Sequence, residues 1–306
     1  MATYHSGESA VQERAGLERQ ADFSRGGIGD TVPDVAAEFL AAQPMLVVGG
    51  TDAAGRVWAT QLTGEPGFLR VPGPRTLLVD ALPEPGDPLH ETLTGAHGTA
   101  VRIGMIGIEP ATRRRMRING RAVRTGDGLR VELDQVIANC PKYLQKRDHR
   151  FLGPGETATP RTVTGATALT AGQQRVLREA DTFFVATASD RGDADASHRG
   201  GNPGFVQVLS PTLLRWPDYT GNAMFLTLGN LLLNPAAGIL VPGWDTGTAL
   251  HLSGTARTVW DEEETRSVPG AQRLVEFSVE EVREITAASG LRWSEPAYSR
   301  FNPAVA

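Results

Sequence analysis

The feature that most limits what this chain can fold into is an internal repeat. Displaced by 137 residues, residues 45–78 lie over residues 182–215 without a gap, and ten of the 34 positions are identical. Unrelated stretches of average composition would share about two. The matches include Val48 with Val185, Gly55 with Gly192 and Ala59 with Ala196. The run Gly64-x-Pro66-Gly67-Phe68 falls on Gly201-x-Pro203-Gly204-Phe205. Downstream, Ile118-Asn119-Gly120-Arg121-Ala122 answers Leu252-Ser253-Gly254-Thr255-Ala256 after a small change of register. A repeat of this length implies two units of one fold, and 306 residues are enough for two.

Each copy reads as β structure. Apolar runs at 47–51 and 183–188 are each followed by a glycine-containing turn and a second extended run, the pattern of a hairpin. Further strands are predicted at 76–79, 99–108 and 115–123 in the first copy, and at 236–241, 248–252 and 255–259 in the second. Many short strands with closely spaced turns favour a mainly β fold of two barrels over a doubly wound sheet. Helices are few, expected at 10–20, 33–42, 172–180 and 279–288. The stretch 153–171, rich in Gly, Thr, Pro and Ala, reads as a linker. The expected division is a first unit over 1–152 and a second over 172–306 that closes with a helix and a tail.

Composition narrows the function classes. Apolar residues make up 40% of the chain and charged residues 21%, the balance of a globular protein with a full core. A net charge of −5 gives no general reason to bind nucleic acid or an anionic membrane. Apolar runs such as 231–233 are far too short to span a bilayer, and the first thirty residues lack a signal-type apolar core. A cytoplasmic protein is expected. Cys140 is the only cysteine, which excludes an intrachain disulfide; with no activating partner in sequence it reads as a buried, inert thiol. His90 and His97 have no metal-ligand spacing, so no metal is expected, and His251 in its alternating strand reads as structural. P-loop, dinucleotide and nucleophile-elbow motifs are absent.

The densest group of unusual polar residues is Ser197-His198-Arg199-Gly200-Gly201-Asn202. Glycine lets backbone approach a ligand closely, and the guanidinium fork of Arg199 suits a phosphate. The first copy has Thr60-Gln61-Leu62-Thr63-Gly64-Glu65 at these places. It keeps the turn and loses the cationic pair, which a purely structural turn would not require of one copy alone. A second group follows in Tyr219-Thr220-Gly221-Asn222 and Thr227-Leu228-Gly229-Asn230, ending in Asn234-Pro235. The basic run Arg113-Arg114-Arg115-x-Arg117 reads as a solvated hairpin end, with attraction of an anionic ligand as the alternative.

Taken together, these motifs resemble the flavin-nucleotide-binding proteins related to pyridoxamine 5′-phosphate oxidase. The likeness includes Tyr4-His5-Ser6-Gly7-Glu8 at the start, Asn139-Cys140-Pro141-Lys142-Tyr143 between the repeats, and Tyr298-Ser299-Arg300-Phe301-Asn302-Pro303 near the end. The resemblance implies two FMN-binding split barrels forming a pseudo-dimer within one chain, itself able to pair as a homodimer. It implies FMN in a cleft between the barrels, bound by Ser197, His198, Arg199, Gly200, Asn222, Thr227, Leu228 and Asn230 from one barrel and Lys142 from the other. The activity implied is an FMN-dependent oxidoreductase acting on a small organic molecule, with NADH or NADPH as reductant. Hydride transfer needs no protein nucleophile, and no catalytic residue is assigned. The alternatives are a flavin carrier or sensor without turnover, and a barrel that holds F420 or haem. Pyridoxamine 5′-phosphate oxidase itself is disfavoured, because residues 291–296 do not match its substrate-binding signature.

Overall fold

A computed structural model describes residues 3–305 apart from 154, 155, 157 and 158. Helices α1 (Ser6–Ala15) and α2 (Glu18–Arg25) lead through a short strand, β1 (Ile28–Gly29), to α3 (Asp34–Ala41). The first half continues with β2 (Met45–Thr51), β3 (Val57–Thr63), β4 (Leu69–Gly73), β5 (Thr76–Val79), α4 (His90–Thr94), β6 (Val101–Glu109), β7 (Arg114–Thr125) and β8 (Gly128–Ala138). Two short strands, β9 (His149–Phe151) and β10 (Val163–Ala166), lie in the connection. The second half runs α5 (Ala171–Glu179), β11 (Thr182–Ala188), β12 (Ala194–Gly200), β13 (Gln207–Ser210), β14 (Leu213–Tyr219) and α6 (Leu226–Leu233). It ends with β15 (Ala236–Pro242), β16 (Ala249–Val259), α7 (Glu262–Arg266), β17 (Ala271–Ile285) and β18 (Leu291–Trp293).

The sheet order is β3-β2-β6-β7-β8-β5-β4 in the first half and β12-β11-β15-β16-β17-β14-β13 in the second. Replacing each strand by its counterpart turns one order into the other, so the two halves share one topology, that of two split barrels. Each barrel fills with its own core: Trp58, Leu62, Phe68 and Leu77 in the first, and Phe183, Phe205, Trp216 and Phe277 in the second. The shared Gly-x-Pro-Gly-Phe run has a steric reason. A Cβ on Gly64 or Gly201 would come within 2.6 Å of the ring of Phe68 or Phe205, and Gly67 and Gly204 hold φ of 101° and 94°. The shared Gly120 and Gly254 sit at matching bulges, where an added Cβ would meet the Glu132 or Ser278 carbonyl oxygen at 2.2 or 1.9 Å.

A third core lies between the barrels, built on Met45, Val47, Phe184, Ala186 and Leu240. Its contacts are reciprocal, as a two-fold interface demands. Gly49 of β2 meets its own counterpart, Ala186 of β11; the missing Cβ would stand 2.6 Å from the Ala186 methyl. Gly104 of β6 lies against Asp195 and Ala196 of β12, while Gly238 of β15 lies against Val57 and Trp58 of β3. The two halves thus meet about a local two-fold axis. A Cβ on Gly104 would fall 2.4 Å from the Asp195 Cα, where only backbone can yield. Gly104→Ala is therefore expected to cost about 1–3 kcal/mol, measurable by urea unfolding.

Three sequence expectations are corrected here. Residues 279–288 are not a helix: β17 runs to Ile285. Its apolar residues Val279 and Val282 stand three apart, a helical spacing, because the bulge opposite Gly254 inserts one residue and lets both face the core. The stretch 153–171 is not simply a linker, since β10 within it pairs with β17 through Val163–Ala166. At the N-terminus the helix expected over 10–20 is two helices, broken at Gly16, whose φ of 66° is the left-handed cap that ends α1. Among the described residues no helix is long and apolar enough to cross a membrane.

Candidate functional site

Where β12 of the second barrel meets β7 of the first, a cavity of about 450 Å³ opens between them. On β12, His198 turns to the inter-barrel core, its ring edge-on to Phe184 at 5.7 Å, while Ser197 turns inward and donates to Asp195 at 2.8 Å. Arg199 and Gly200 complete this wall. Gly200 must be glycine: a Cβ there would lie 2.0 Å from the Tyr143 carbonyl oxygen, because the loop carrying Lys142 and Tyr143 crosses directly over it. The first barrel contributes Arg115 and Arg117 from β7.

The result is a group of cations with little compensation. Burial, with Arg117 and Arg199 beside it, pulls the Arg115 pKa down to about 9. Burial lowers that of Arg199 as well, with Asp218 and Asp195 opposing and Arg117 adding to the shift. Burial, then Arg115 and Arg199, hold His198 well below the usual imidazole range, so it is neutral at pH 7. Arg115 Nη1 lies 2.7 Å from His198 Nδ1. A guanidinium can only donate, so the neutral ring carries its proton on Nε2. Of the group, Arg117 alone has a close carboxylate, Asp195 at 3.3 Å. Asp195 also accepts from Ser197 and Thr227, the latter at 3.4 Å, which ties β12, α6 and the first barrel together.

The far wall is a strained loop ahead of α6. Ala223 and Phe225 of this loop line the cavity with φ of 60° and 59°, as does Tyr143 of the loop over Gly200 with φ of 63°. Each such residue costs on the order of 1–3 kcal/mol and persists only where its surroundings enforce it. The N-terminal helices do so here. Gln12, Gln20 and Ser24 donate to the carbonyls of Met224, Gly221 and Asn222 at 3.2, 3.2 and 2.7 Å. Leu17 and Gln20 themselves reach the cavity. Helix α1 is fixed in turn on α6: Gly7 and Gly229 cross so closely that a Cβ on Gly7 would lie 2.2 Å from the Gly229 carbonyl oxygen.

Glu8, 4% exposed at this crossing, accepts from the His5 N–H at 2.8 Å. Burial raises its pKa to about 7. Between the unfolded value near 4.3 and about 7 the native state holds the extra proton, so stability falls as pH rises through that window. Glu8→Gln keeps an acceptor without the charge. It is expected to flatten this pH dependence and to raise stability at pH 8 by about 2 kcal/mol, read from denaturant unfolding at pH 5 and pH 8.

Of the residues anticipated from sequence, His198, Arg199, Gly200, Asn222, Thr227, Leu228 and Lys142 all border this cavity. Ser197 and Asn230 do not. Ser197 is fully buried on Asp195, and Asn230 holds α1 down through His5 at 3.0 Å and bonds Thr187 at 3.1 Å. The basic run is corrected: Arg113 and Arg114 bond other protein groups at the turn, but Arg115 and Arg117 face the cavity. Cys140 is corrected too, being exposed at the cavity rather than buried. His251 is buried with Nδ1 2.9 Å from the Ala59 carbonyl oxygen, but its Nε2 has no partner among the described residues. Sequence reasoning missed Tyr143, Asp218 and Arg273 as wall residues.

The two-fold axis generates a second cleft, and the chain has filled it. Only about 100 Å³ remains there. Gln61 and Leu62 stand where the first cleft has His198 and Arg199, and Ala249 and His251 stand where it has Arg115 and Arg117. Its charged residues are Glu84, Asp87 and Arg161; Arg161 pairs with Glu84 at 3.0 Å, and Asp87 accepts from Thr60. Among the described residues the cationic site occurs once.

Two barrels of split-barrel topology with a cation-lined cleft between them define the class of protein. Residues 169–286 match the family described as Pyridoxamine 5′-phosphate oxidase, a span that runs from the approach to α5 through β17. The second barrel is thus similar to that family, and the first barrel repeats its strand order. No curated protein matches it. Similar solved structures include a Lactobacillus delbrueckii protein provisionally described as a pyridoxamine 5′-phosphate oxidase, 21% identical, covering 38% of this chain and 93% of its own with a TM-score of 0.32. The FAD binding protein from Mycobacterium smegmatis is 16% identical over 40% of this chain and 98% of its own, with a TM-score of 0.29. An F420 reductase is 14% identical over 37% of this chain and 95% of its own, with a TM-score of 0.28.

Proposed function

We propose that the large cleft binds FMN, one molecule per chain, and that the protein is an FMN-dependent oxidoreductase acting on a small organic substrate. The observation that carries this reading is the group Arg115, Arg117 and Arg199, three guanidinium groups whose only ion pair among the described residues is Arg117 with Asp195, with Asp218 a further carboxylate acting on Arg199. An unpaired cation group in an enclosed site is stable only with an anion to neutralise it. A phosphate monoester supplies that charge, and the Arg forks match its oxygens. Lys142, from the loop over Gly200, adds a further cation. The cavity of about 450 Å³ is of cofactor size. Neutral His198 offers an Nε2–H donor rather than a further charge.

Bound there, FMN would supply two-electron redox chemistry, with NADH or NADPH as the reductant. The protein's own part is to hold the phosphate, shape the ring pocket with the Ala223–Phe225 turn, and exclude water with α1 and α2. The surplus of positive charge favours ligand states that carry more negative charge.

Riboflavin lacks the phosphate and separates the parts of this reading. FMN is expected to bind at least about 100-fold more tightly than riboflavin, since two charge-assisted contacts are worth about 3 kcal/mol or more together. Fluorescence quenching of each flavin measures the ratio; equal affinities would remove the phosphate assignment. FMN at 100 times its dissociation constant should also raise stability by about 2.7 kcal/mol.

A further inference from the structure

The same cleft holds a cation the phosphate reading does not use. Arg273 of β17 is 5% exposed and borders the cavity beside Asp218. Its Nε and Nη1 are buried without a hydrogen-bond partner among the described residues. Asp218 Oδ2 lies 3.2 Å from Nε, an ion pair out of line for a hydrogen bond. The guanidinium is flanked by aromatic rings, its carbon 4.8 Å from the centre of Phe225 and 5.2 Å from that of Trp260. Tyr219 and Tyr143, whose ring centres are 4.9 Å apart, continue the aromatic surface along the cavity wall. A buried guanidinium with idle donors is costly unless a ligand accepts from it.

We propose that Arg273 recognises the carboxylate of the substrate, and that the substrate is a planar, unsaturated or aromatic monocarboxylic acid. This rests on the reading that Arg115, Arg117 and Arg199 hold the flavin phosphate. Charge favours carboxylate over phosphate: Asp218 beside Arg273 leaves at most one net positive charge, which one carboxylate neutralises and which falls short of a phosphate dianion. The aromatic residues around Arg273 and along the wall select a flat apolar body. Burial raises the Asp218 pKa, with Arg273 and Arg199 opposing.

The test uses benzoate and its neutral analogue benzamide, titrated into FMN-saturated protein and followed by the flavin spectrum and by calorimetry. Benzoate is expected to bind at least about tenfold more tightly than benzamide. Arg273→Gln is expected to abolish that preference with FMN occupancy unchanged, and Asp218→Asn to strengthen benzoate binding several-fold by removing a like charge. Equal binding of the two probes to the unmodified protein would overturn the proposal, and needs no variant. So would an Arg273→Gln protein that loses FMN but keeps the benzoate preference. If the protein takes no flavin yet calorimetry still shows an Arg273-dependent benzoate preference, the acid site stands and the flavin reading falls.

Discussion

Replacing Arg199 with alanine is expected to weaken FMN binding by roughly 30- to 150-fold while leaving the ligand-free protein at least as stable as before. Arg199 is the cleanest probe of the cation group because its one hydrogen bond is to the neighbouring His198 carbonyl, at 3.1 Å. Arg115, by contrast, also supports the crossing loop through the Cys140 carbonyl at 3.1 Å, so its removal would disturb structure as well as charge. Losing charge-assisted contacts worth about 2–3 kcal/mol gives the stated factor. The second half of the prediction separates function from structure. In the empty protein burial disfavours the Arg199 charge, with Asp218 and Asp195 attracting it and Arg117 repelling it, and removing it relieves the cost of that burial. Lower affinity with unchanged or higher ligand-free stability is therefore the signature of a binding residue. Lower affinity with a matching loss of stability would assign Arg199 to the scaffold instead.

Gly229→Ala should detach the N-terminal helices from the second barrel. The new methyl would lie 2.6 Å from the Glu8 backbone nitrogen and 2.7 Å from its Cα, where no side chain can move aside. Overpacking of this kind costs about 1–3 kcal/mol, and the short α1 has little with which to resist it. Its release would also remove Gln12, Gln20 and Ser24 from the carbonyls that fix the strained 221–225 turn. Limited proteolysis is expected to cleave within the first 25 residues of the variant and not of the parent, together with a loss of FMN affinity of tenfold or more. Cleavage and affinity identical to the parent would show that the helix crossing does not maintain the cavity.

The fold was legible because the repeat carries its own steric logic. Gly64-x-Pro66-Gly67-Phe68 and its copy survive where a Cβ cannot fit, and the shared Gly120 and Gly254 mark the same bulge. Those bulges also explain the misread segment: they break two-residue alternation, so Val279 and Val282 imitate a helix. The site was half legible. His198 and Arg199 stood out because Gln61 and Leu62 occupy their places in the other copy. The same signal was present for Arg115 and Arg117, which the shifted register sets over Ala249 and His251, but their local setting resembles an ordinary basic turn. Arg273 and Asp218 gave no signal: they meet across paired strands β14 and β17, far apart in the chain. Asn230 misled because one polar side chain serves equally to hold a ligand or a helix, and here it holds α1.

The most direct test of the central claim is the visible spectrum of the purified protein during titration with FMN, with the stoichiometry read at saturation. The account predicts a yellow protein that releases FMN on denaturation and saturates at one FMN per chain, because only one of the two clefts carries Arg115, Arg117 and Arg199. A protein that stays colourless after incubation with FMN, or one that binds two molecules per chain, would contradict it.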